Sequence, residues 1–297
     1  DVIEAADRLR IIGRAGVGVD NVDVPAATQR GVLVVNSPEG NTIAAAEHAL
    51  ALLLSLSRHV PQAHASMRAG AWDRKKYVGN ELYKKVLGVV GLGKIGSHVG
   101  KVAKAMGMEV IAFDPFISAD RAQQMQVRLT TLEDLFRQAD YITLHIPRTP
   151  DTENLVNAEL LRTMKSTARI VNCARGGIVD ETAIAEAIDN GVIAGAGLDV
   201  FASEPLDQDS PLRAVERGLV LTPHLGASTE EAQENVATDV AEQIRDVLLG
   251  LPARSAVNIP GLSAEIMERL KPHLQLAETL GLLVSQLSGG QVQELEV

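Results

Sequence analysis

Three ionisable side chains, Arg175, Glu204 and His224, each lie just beyond a short apolar run that reads as a β-strand. Arg175 follows Val171–Asn172–Cys173 and opens a Gly176–Gly177 turn, Glu204 sits in Ser203–Glu204–Pro205, and His224 follows Thr222–Pro223. Taken singly, each has an ordinary reading: a structural ion pair, a surface carboxylate, a loop histidine. Taken together they suit removal of a hydride from a carbon that carries a hydroxyl. That reaction needs a base for the hydroxyl proton, and histidine titrates nearest neutrality. A carboxylate beside the imidazole orients it and favours the imidazolium that forms. A guanidinium can grip a substrate carboxylate in a two-pronged fork and polarise the nascent carbonyl. The hydride needs an acceptor, and a second stretch of the chain has the pattern to hold one.

Val86–Leu92 is a valine-rich run that reads as a buried strand, and Gly91, Gly93 and Gly96 follow the spacing G-x-G-x-x-G. Residues 94–107 read as a helix with Ile95, Val99, Val102, Ala103 and Met106 near helical spacing and Gly107 at its end. Glu109–Phe113 is a second strand, closed by Asp114. In this pattern Gly91 permits the tight turn, Gly93 lets the backbone approach a pyrophosphate, and Gly96 lets the helix lie close on the strand. The helix start offers free N–H groups to phosphate. Asp114 would accept from ribose hydroxyls and repel a 2′-phosphate, so NAD is expected rather than NADP. The same spacing with no ligand would be a glycine-rich strand–helix turn.

The rest of the chain must position these groups. At 297 residues it suggests two domains or one large one. With 46% hydrophobic but only 3% aromatic residues, its core must be built from Val, Leu, Ile and Ala. The net charge of −10 argues against a nucleic-acid surface. Cys173 alone excludes an intramolecular disulfide and fits a reducing, cytoplasmic compartment. No signal sequence is visible, and Ile43–Leu56, interrupted by Glu47 and His48, is too short to span a bilayer.

Residues 1–10 read as the end of a helix, and Arg10–Ile12 leads into the loop GRAGVGVDN. Asp23–Arg30 is a helix capped by Asp23 with Pro25 in its first turn, and Val32–Val35 is a strand. Asn41 is expected to cap a long helix through Arg58 that is apolar almost all round and therefore enclosed on both sides. Pro61 to Gly70 is a further helix. Arg74, Lys75 and Lys76 form a solvated surface by default, with contact to a second subunit or an anionic substrate as the lesser reading.

From Val86 strands and helices alternate, with Val127–Leu129, Tyr141–Ile146, Ile170–Cys173, Ala194–Val200 and Leu219–Leu221 as further strands and Thr131, Asn157 and Asp180 as caps. The fold class is thus α/β, a doubly wound parallel sheet whose ligand crevice lies at the strand C-terminal ends, where Asp114, Ile146, Cys173, Arg175, Asp199 and His224 fall. Ser228-x-x-Glu231 reads as a capping box for a helix to Gly250, and LPARSAVNIPG reads as a linker. Ser263–Leu287 is helical with an interruption at Pro272, and Gln291–Val297 alternates like a strand. Cys173 has no implied histidine partner and reads as packing. His48, His59, His64, His98, His145 and His273 show no metal-ligand spacing, so no metal is expected.

The stretches GRAGVGVDNVDV, VVGLGKIG, NCARGGIVDE, GLDVFASEP and TPHLGASTEEAQ resemble the D-isomer-specific 2-hydroxyacid dehydrogenase family, in the family's order and nearly from Asp1 to Gly250. The resemblance implies a Rossmann-type NAD-binding domain at residues 38–227 and a truncated flavodoxin-like substrate domain at 1–37. A return helix at 228–252 and the start of a regulatory region at 253–297 complete the implied order, so the chain is expected to be a fragment. It makes Arg175, Glu204 and His224 the catalytic residues. It places NAD contacts, beside Gly91, Gly93 and Gly96, at Val17, Lys94, Ile95, Asp114, Ile146, Cys173, Ala174, Arg175, Asp199, His224, Leu225, Gly226 and Ala227. Arg14, Ala15 and Gly16 would join Arg175 in holding the substrate. The implied reaction is NAD-dependent oxidation of 3-phosphoglycerate to 3-phosphohydroxypyruvate, by a homodimer or homotetramer. The alternatives are a dehydrogenase or reductase of glycerate, glyoxylate or another small 2-hydroxy acid, and a non-enzymatic NAD-sensing corepressor-like protein. The residues beyond Gly250 speak against the last.

Overall fold

The computed structural model describes residues 2–259 and 264–287. The chain divides into two units, one formed by Asp1–Pro38 with Val236–Val297 and one by Glu39–Asn235. The first unit opens with α1 (Val2–Ala5), β1 (Ile11–Arg14), α2 (Val24–Gln29) and β2 (Leu33–Asn36). The Asp23 carboxylate caps α2 by accepting from the Ala26 amide at 2.9 Å. Strands β1 and β2 pair in parallel, Ile11 opposite Leu33 through Arg14 opposite Asn36. Gly13 and Arg14 therefore belong to β1 rather than to the expected loop. Packing explains Gly13, since a Cβ there would lie 2.4 Å from Val240 Cγ1.

The second unit contains α3 (Thr42–Arg58), α4 (Val60–Arg68), β3 (Val86–Val90), α5 (Lys94–Ala105), β4 (Glu109–Phe113), α6 (Ala119–Gln124) and β5 (Arg128–Leu129). It continues with α7 (Leu132–Gln138), β6 (Tyr141–Leu144), α8 (Ala158–Arg162), β7 (Arg169–Asn172), α9 (Glu181–Asp189), β8 (Gly195–Leu198) and β9 (Leu219–Leu221). Its strands form a seven-stranded sheet in the order β5-β4-β3-β6-β7-β8-β9, parallel throughout. The chain builds outward from β3 to β5 and then restarts on the other side of β3 with β6. The order reverses between those two strands, which opens a crevice above their C-terminal ends. Successive strand residues serve opposite cores: Val89, Val110, Ala112 and Val171 pack with α3 and α5, while Val90, Ile111, Ile142 and Ile170 pack with α7, α8 and α9. Both faces are covered, so the central strands read as continuous apolar runs.

Thr131, Asn157 and Asp180 each cap their helix through the side chain, as their spacing predicts. Asn41 does not. It occupies the cap position of α3 with φ −116° and ψ 11°, outside the extended geometry that aims a cap side chain at the helix amides, and it makes no side-chain cap bond. Nor is α3 enclosed on all sides. It packs on β7, β8, β9 and α5, and leaves the outward stripe Ile43, Glu47, Ala51, Leu54 and Arg58 exposed.

Helix α10 (Glu230–Leu248) is capped by Thr229 rather than Ser228, the Thr229 Oγ1 accepting from the Ala232 amide at 3.1 Å. The linker-like stretch after it is ordered within the first unit. Val35 and Ala256 form an antiparallel bridge, and the Asn258 side chain accepts from the Val34 amide at 2.8 Å and donates to the Val32 carbonyl at 2.9 Å. The open edge of β2 carries backbone groups that need partners, and this segment supplies them despite its loop-like composition. Helix α11 (Ala264–Leu287) runs through Pro272 without interruption. Proline removes one backbone bond, and the flanking Leu, Lys, Gln, Glu and Ala residues favour helix strongly enough to carry on. Leu270, Leu276, Leu282, Leu283 and Leu287 of α11 are exposed. The strand expected at Gln291–Val297 lies outside the described residues. Among the described residues no helix is long and apolar enough to cross a membrane.

Candidate active site

The glycine turn between β3 and α5 shows three separate uses of a missing side chain. Gly91 has φ 93°, and a Cβ there would lie 2.5 Å from the His145 carbonyl oxygen at the end of β6. At Gly96 a Cβ would sit 2.0 Å from the Gly91 carbonyl oxygen, so α5 lies on the turn as closely as backbone allows. At Gly93, the residue before α5, a Cβ would meet nothing within 4 Å. That open side, beside the free amides of a helix start with no acidic residue in its first turn, is the shape a pyrophosphate needs. Asp114 pins the rim: Oδ2 accepts from the Leu92 amide at 2.7 Å and Oδ1 from the Phe116 amide at 2.9 Å. Each oxygen keeps a lone pair for a ribose hydroxyl. Lys94 is ion-paired with Glu39 beside this turn.

Across the switch point, β7, β8 and β9 end in step, Asn172 pairing with Leu198 and Leu198 with Leu221. The expected catalytic residues follow these ends. The buried Asn172 side chain folds the first loop, its Oδ1 accepting from the Ala174 amide at 3.0 Å and its Nδ2 donating to the Arg175 carbonyl at 2.9 Å. Gly176 is fixed by contact, since a Cβ there would lie 1.7 Å from the Phe201 carbonyl oxygen. The Arg175 loop is thereby pressed onto the loop that carries Glu204. Arg175 Nη1 donates to the Ala174 carbonyl at 2.6 Å.

Glu204 and His224 meet. Glu204 Oε2 lies 2.7 Å from His224 Nδ1, and Oε1 accepts from the Phe201 amide at 3.1 Å. A carboxylate can only accept, so Nδ1 carries a hydrogen, and in the neutral imidazole the lone pair is then on Nε2. The His224 and Glu204 side chains are 51% and 37% exposed, so the pair adds little to stability and acts by orientation. It borders a cavity of about 570 Å³ lined also by Phe201, Leu206, Arg213, Leu221 and Pro223.

His224 sits in the left-handed region at φ 54°, a conformation that needs outside support. Its amide donates to the Asp199 carbonyl at 2.8 Å. The fully buried Asp199 carboxylate holds the following residues: Oδ1 accepts from Thr222 Oγ1 at 2.6 Å and the Leu225 amide at 2.8 Å, and Oδ2 from the Gly226 amide at 2.8 Å. His48 Nε2 lies 3.1 Å from Asp199 Oδ1 and 3.0 Å from Thr222 Oγ1. Burial alone would raise the Asp199 pKa, but the bonds from His48, Thr222 and Leu225 outweigh it and hold the carboxyl below its ordinary value. Burial, followed by the charge of Asp199, pushes the Cys173 thiol up. Burial pushes His145, at the end of β6, down to about 4, which keeps it neutral.

Ile146, Cys173 and Ala174 thus fall in loops at strand C-terminal ends, as the sequence predicts, and Leu225, Gly226 and Ala227 lie in the loop after β9. The remaining expected residues lie in the first unit. There the Arg14 guanidinium folds back to bond the Ala15 carbonyl, Gly16 has φ 145°, and the Val17 carbonyl accepts from Asn36 Nδ2 at 2.7 Å. Sequence reasoning missed His48, Thr222 and Asn172. Asn172 could be guessed as a polar residue closing an apolar strand. His48 is 151 positions from Asp199 and gives no local sign of the contact.

Comparison with known proteins agrees with this geometry. Residues 50–226 match the family model described as D-isomer specific 2-hydroxyacid dehydrogenase, NAD binding domain. The D-3-phosphoglycerate dehydrogenase of Synechocystis sp. is 65% identical over 100% of this chain and 53% of its own length. The chain spans about half the length of the curated relatives it matches. Among solved structures, the TT0316 protein of Thermus thermophilus superposes with a TM-score of 0.80 at 38% identity, covering 86% of this chain and 81% of that one. The D-lactate dehydrogenase of Aquifex aeolicus, complexed with NAD and lactic acid, superposes with a TM-score of 0.77 at 28% identity over the same shares.

Proposed function

The chain belongs to the D-isomer specific 2-hydroxyacid dehydrogenase family, and from that premise we propose that it oxidises 3-phosphoglycerate to 3-phosphohydroxypyruvate with NAD. The observation that carries the chemistry is the 2.7 Å contact between His224 Nδ1 and Glu204 Oε2 at the strand ends. The substrate assignment is supported by the 65% identity to the Synechocystis relative.

NAD would be held by the Gly91–Gly93–Gly96 turn, the first turn of α5 and Asp114, and when bound it supplies the hydride acceptor. Glu204 keeps the hydrogen on Nδ1, so His224 Nε2 takes the proton from the substrate hydroxyl. Glu204 then steadies the imidazolium. Arg175 forks the substrate carboxylate and draws charge from the forming carbonyl oxygen. In the reducing direction His224 returns the proton. The assignment of Arg14, Ala15 and Gly16 to the substrate rests on the resemblance alone. Assembly as a homodimer or homotetramer and residence in the cytoplasm belong to the same proposal.

The test is a substrate panel with NAD, following NADH formation from 3-phosphoglycerate, D-glycerate and D-lactate. Turnover of 3-phosphoglycerate above the others is expected. Preference for lactate would reassign the substrate within the family, and NADH binding without turnover on any of them would favour a sensor.

Cofactor choice gives a separate check. Asp114→Asn keeps an acceptor for the Leu92 amide, gives up the one offered to the exposed Phe116 amide, and removes the charge that a 2′-phosphate would meet. Discrimination against NADP is expected to narrow by about tenfold, the factor that 1.4 kcal/mol represents. Unchanged ratios of kcat/KM for NAD and NADP would show that another group selects the cofactor.

A further inference from the structure

His48 of α3, Cys173 after β7 and Asp199 after β8 bring an imidazole nitrogen, a thiol sulfur and a carboxylate oxygen together, all within 4.8 Å of one another. We propose that these three side chains form a binding site for a single thiophilic divalent cation of the zinc or cobalt(II) kind, occupied in exchange for the dinucleotide.

The donor set has the composition and spacing of such a site. Metal–ligand bonds of about 2.0–2.3 Å in a tetrahedron place donors about 3.3–3.6 Å apart. His48 Nε2 and Asp199 Oδ1, at 3.1 Å, already stand near that edge length. The Cys173 sulfur, within 4.8 Å of the other two donors, has to close by about 1 Å. Three protein donors leave a fourth position for water.

Charge balance favours the ion. A thiolate, a carboxylate and a neutral imidazole around a divalent cation sum to zero, the combination that a largely buried pocket accepts at least cost. Asp199 is already held as the anion by its hydrogen bonds. Without the ion Cys173 carries its hydrogen as a thiol, the ordinary state of a cysteine at neutral pH. Binding therefore breaks the S–H bond, forms a sulfur–metal bond and releases one proton to solvent; the hydrogen that His48 Nε2 directs at Asp199 passes through solvent to Nδ1, which frees the Nε2 lone pair for the metal, with no change of oxidation state. The Thr222 hydroxyl and the Leu225 and Gly226 amides remain on the carboxylate and orient it, the usual outer support of a metal ligand. The His48 side chain is 19% exposed, which gives the ion a path from solvent. The exchange with the dinucleotide, though not the binding itself, rests on the function proposed above, because Cys173 and Asp199 are among the residues assigned to NAD.

Cobalt(II) titrated into the 297-residue chain tests this directly. One ion per chain, a near-ultraviolet thiolate-to-cobalt absorption band and release of about one proton per ion are expected. Cys173→Ser should remove the band, and His48→Ala should weaken binding at least tenfold. Equilibrium dialysis of the unmodified chain against zinc should retain one ion per chain, a readout that needs no variant to fold. A band that survives Cys173→Ser, or neither band nor retained zinc at millimolar metal, overturns the site. Saturating zinc should also weaken NADH binding at least tenfold. If NADH binds equally well with and without zinc, the exchange is refuted. If NADH does not bind even without metal, the dinucleotide reading fails, and the cobalt spectrum still decides the site.

Discussion

His224→Gln is expected to lower kcat for 3-phosphoglycerate by about 10³-fold while leaving NADH affinity nearly unchanged. Glutamine preserves the size of the side chain and can still hydrogen-bond Glu204, but it cannot accept and return a proton. The backbone bond from the His224 amide to the Asp199 carbonyl does not involve the side chain and should persist. So should the hold of the Asp199 carboxylate on Leu225 and Gly226. The loop then stays in place, and what is lost is the chemistry. Glu204→Gln should cost less, because the imidazole keeps its proton-transfer role and loses only its orienting acceptor. Stopped-flow measurement of the hydride step and NADH fluorescence titration separate the two effects. Turnover of His224→Gln near the unmodified rate would place the base elsewhere. A parallel loss of NADH binding would mean that the side chain supports the cofactor rather than the proton.

The contrast between these loops and the glycine turn explains what the sequence could show. Gly91, Gly93 and Gly96 act within six positions, between a strand and a helix that are themselves local patterns. Their spacing therefore encodes their use, and all three clearances follow it. The caps at Asp23, Thr131, Asn157 and Asp180 are legible for the same reason, since each bonds an amide three residues on. Asn41 shows the limit: residue type suggests a cap, and backbone angles at the start of α3 deny it. Position 229 shows another, because two adjacent hydroxyl residues compete for the cap and it is Thr229 that accepts from the Ala232 amide. Composition misleads at residues 251–259, where a loop-like stretch completes the edge of β2. The catalytic trio is an intermediate case. Each member is placed by its strand end, which is readable, but the Glu204–His224 contact depends on two loops folding together. The His48–Asp199–Thr222 network is not local at all. It requires α3 to lie over the ends of β8 and β9, and that packing is decided by the two cores rather than by any motif.

Asp199→Asn probes this non-local network and should have the largest effect on stability. In the wild type one buried carboxylate accepts from a hydroxyl, two amides and an imidazole, and every donor is satisfied. Asparagine has the same shape but only one oxygen. If that oxygen faces Thr222 and Leu225, its NH₂ group meets the Gly226 amide, donor against donor. If the amide flips, Gly226 is served and the other three donors are not. Losing charge-assisted bonds and stranding at least one buried donor should cost about 3 kcal/mol, or about 6–12 °C in the melting of a unit this size. The pH dependence has a definite sign. Because the folded-state pKa of Asp199 is lowered, its stabilisation is complete above the unfolded value of about 3.9 and is lost as pH falls through the lower folded value. The wild-type advantage over Asp199→Asn should therefore be full at pH 7 and shrink only in strong acid. Turnover should fall as well, by about 10²-fold, because a loosened 224–226 loop no longer presents the imidazole to Glu204 and substrate in register. Thr222→Val, which removes one donor and leaves the carboxylate, should lose much less on both counts. An Asp199→Asn chain that melts and turns over like wild type would mean that the single backbone bond between His224 and Asp199 suffices to hold the left-handed turn, and the buried carboxylate would need another reason to be there.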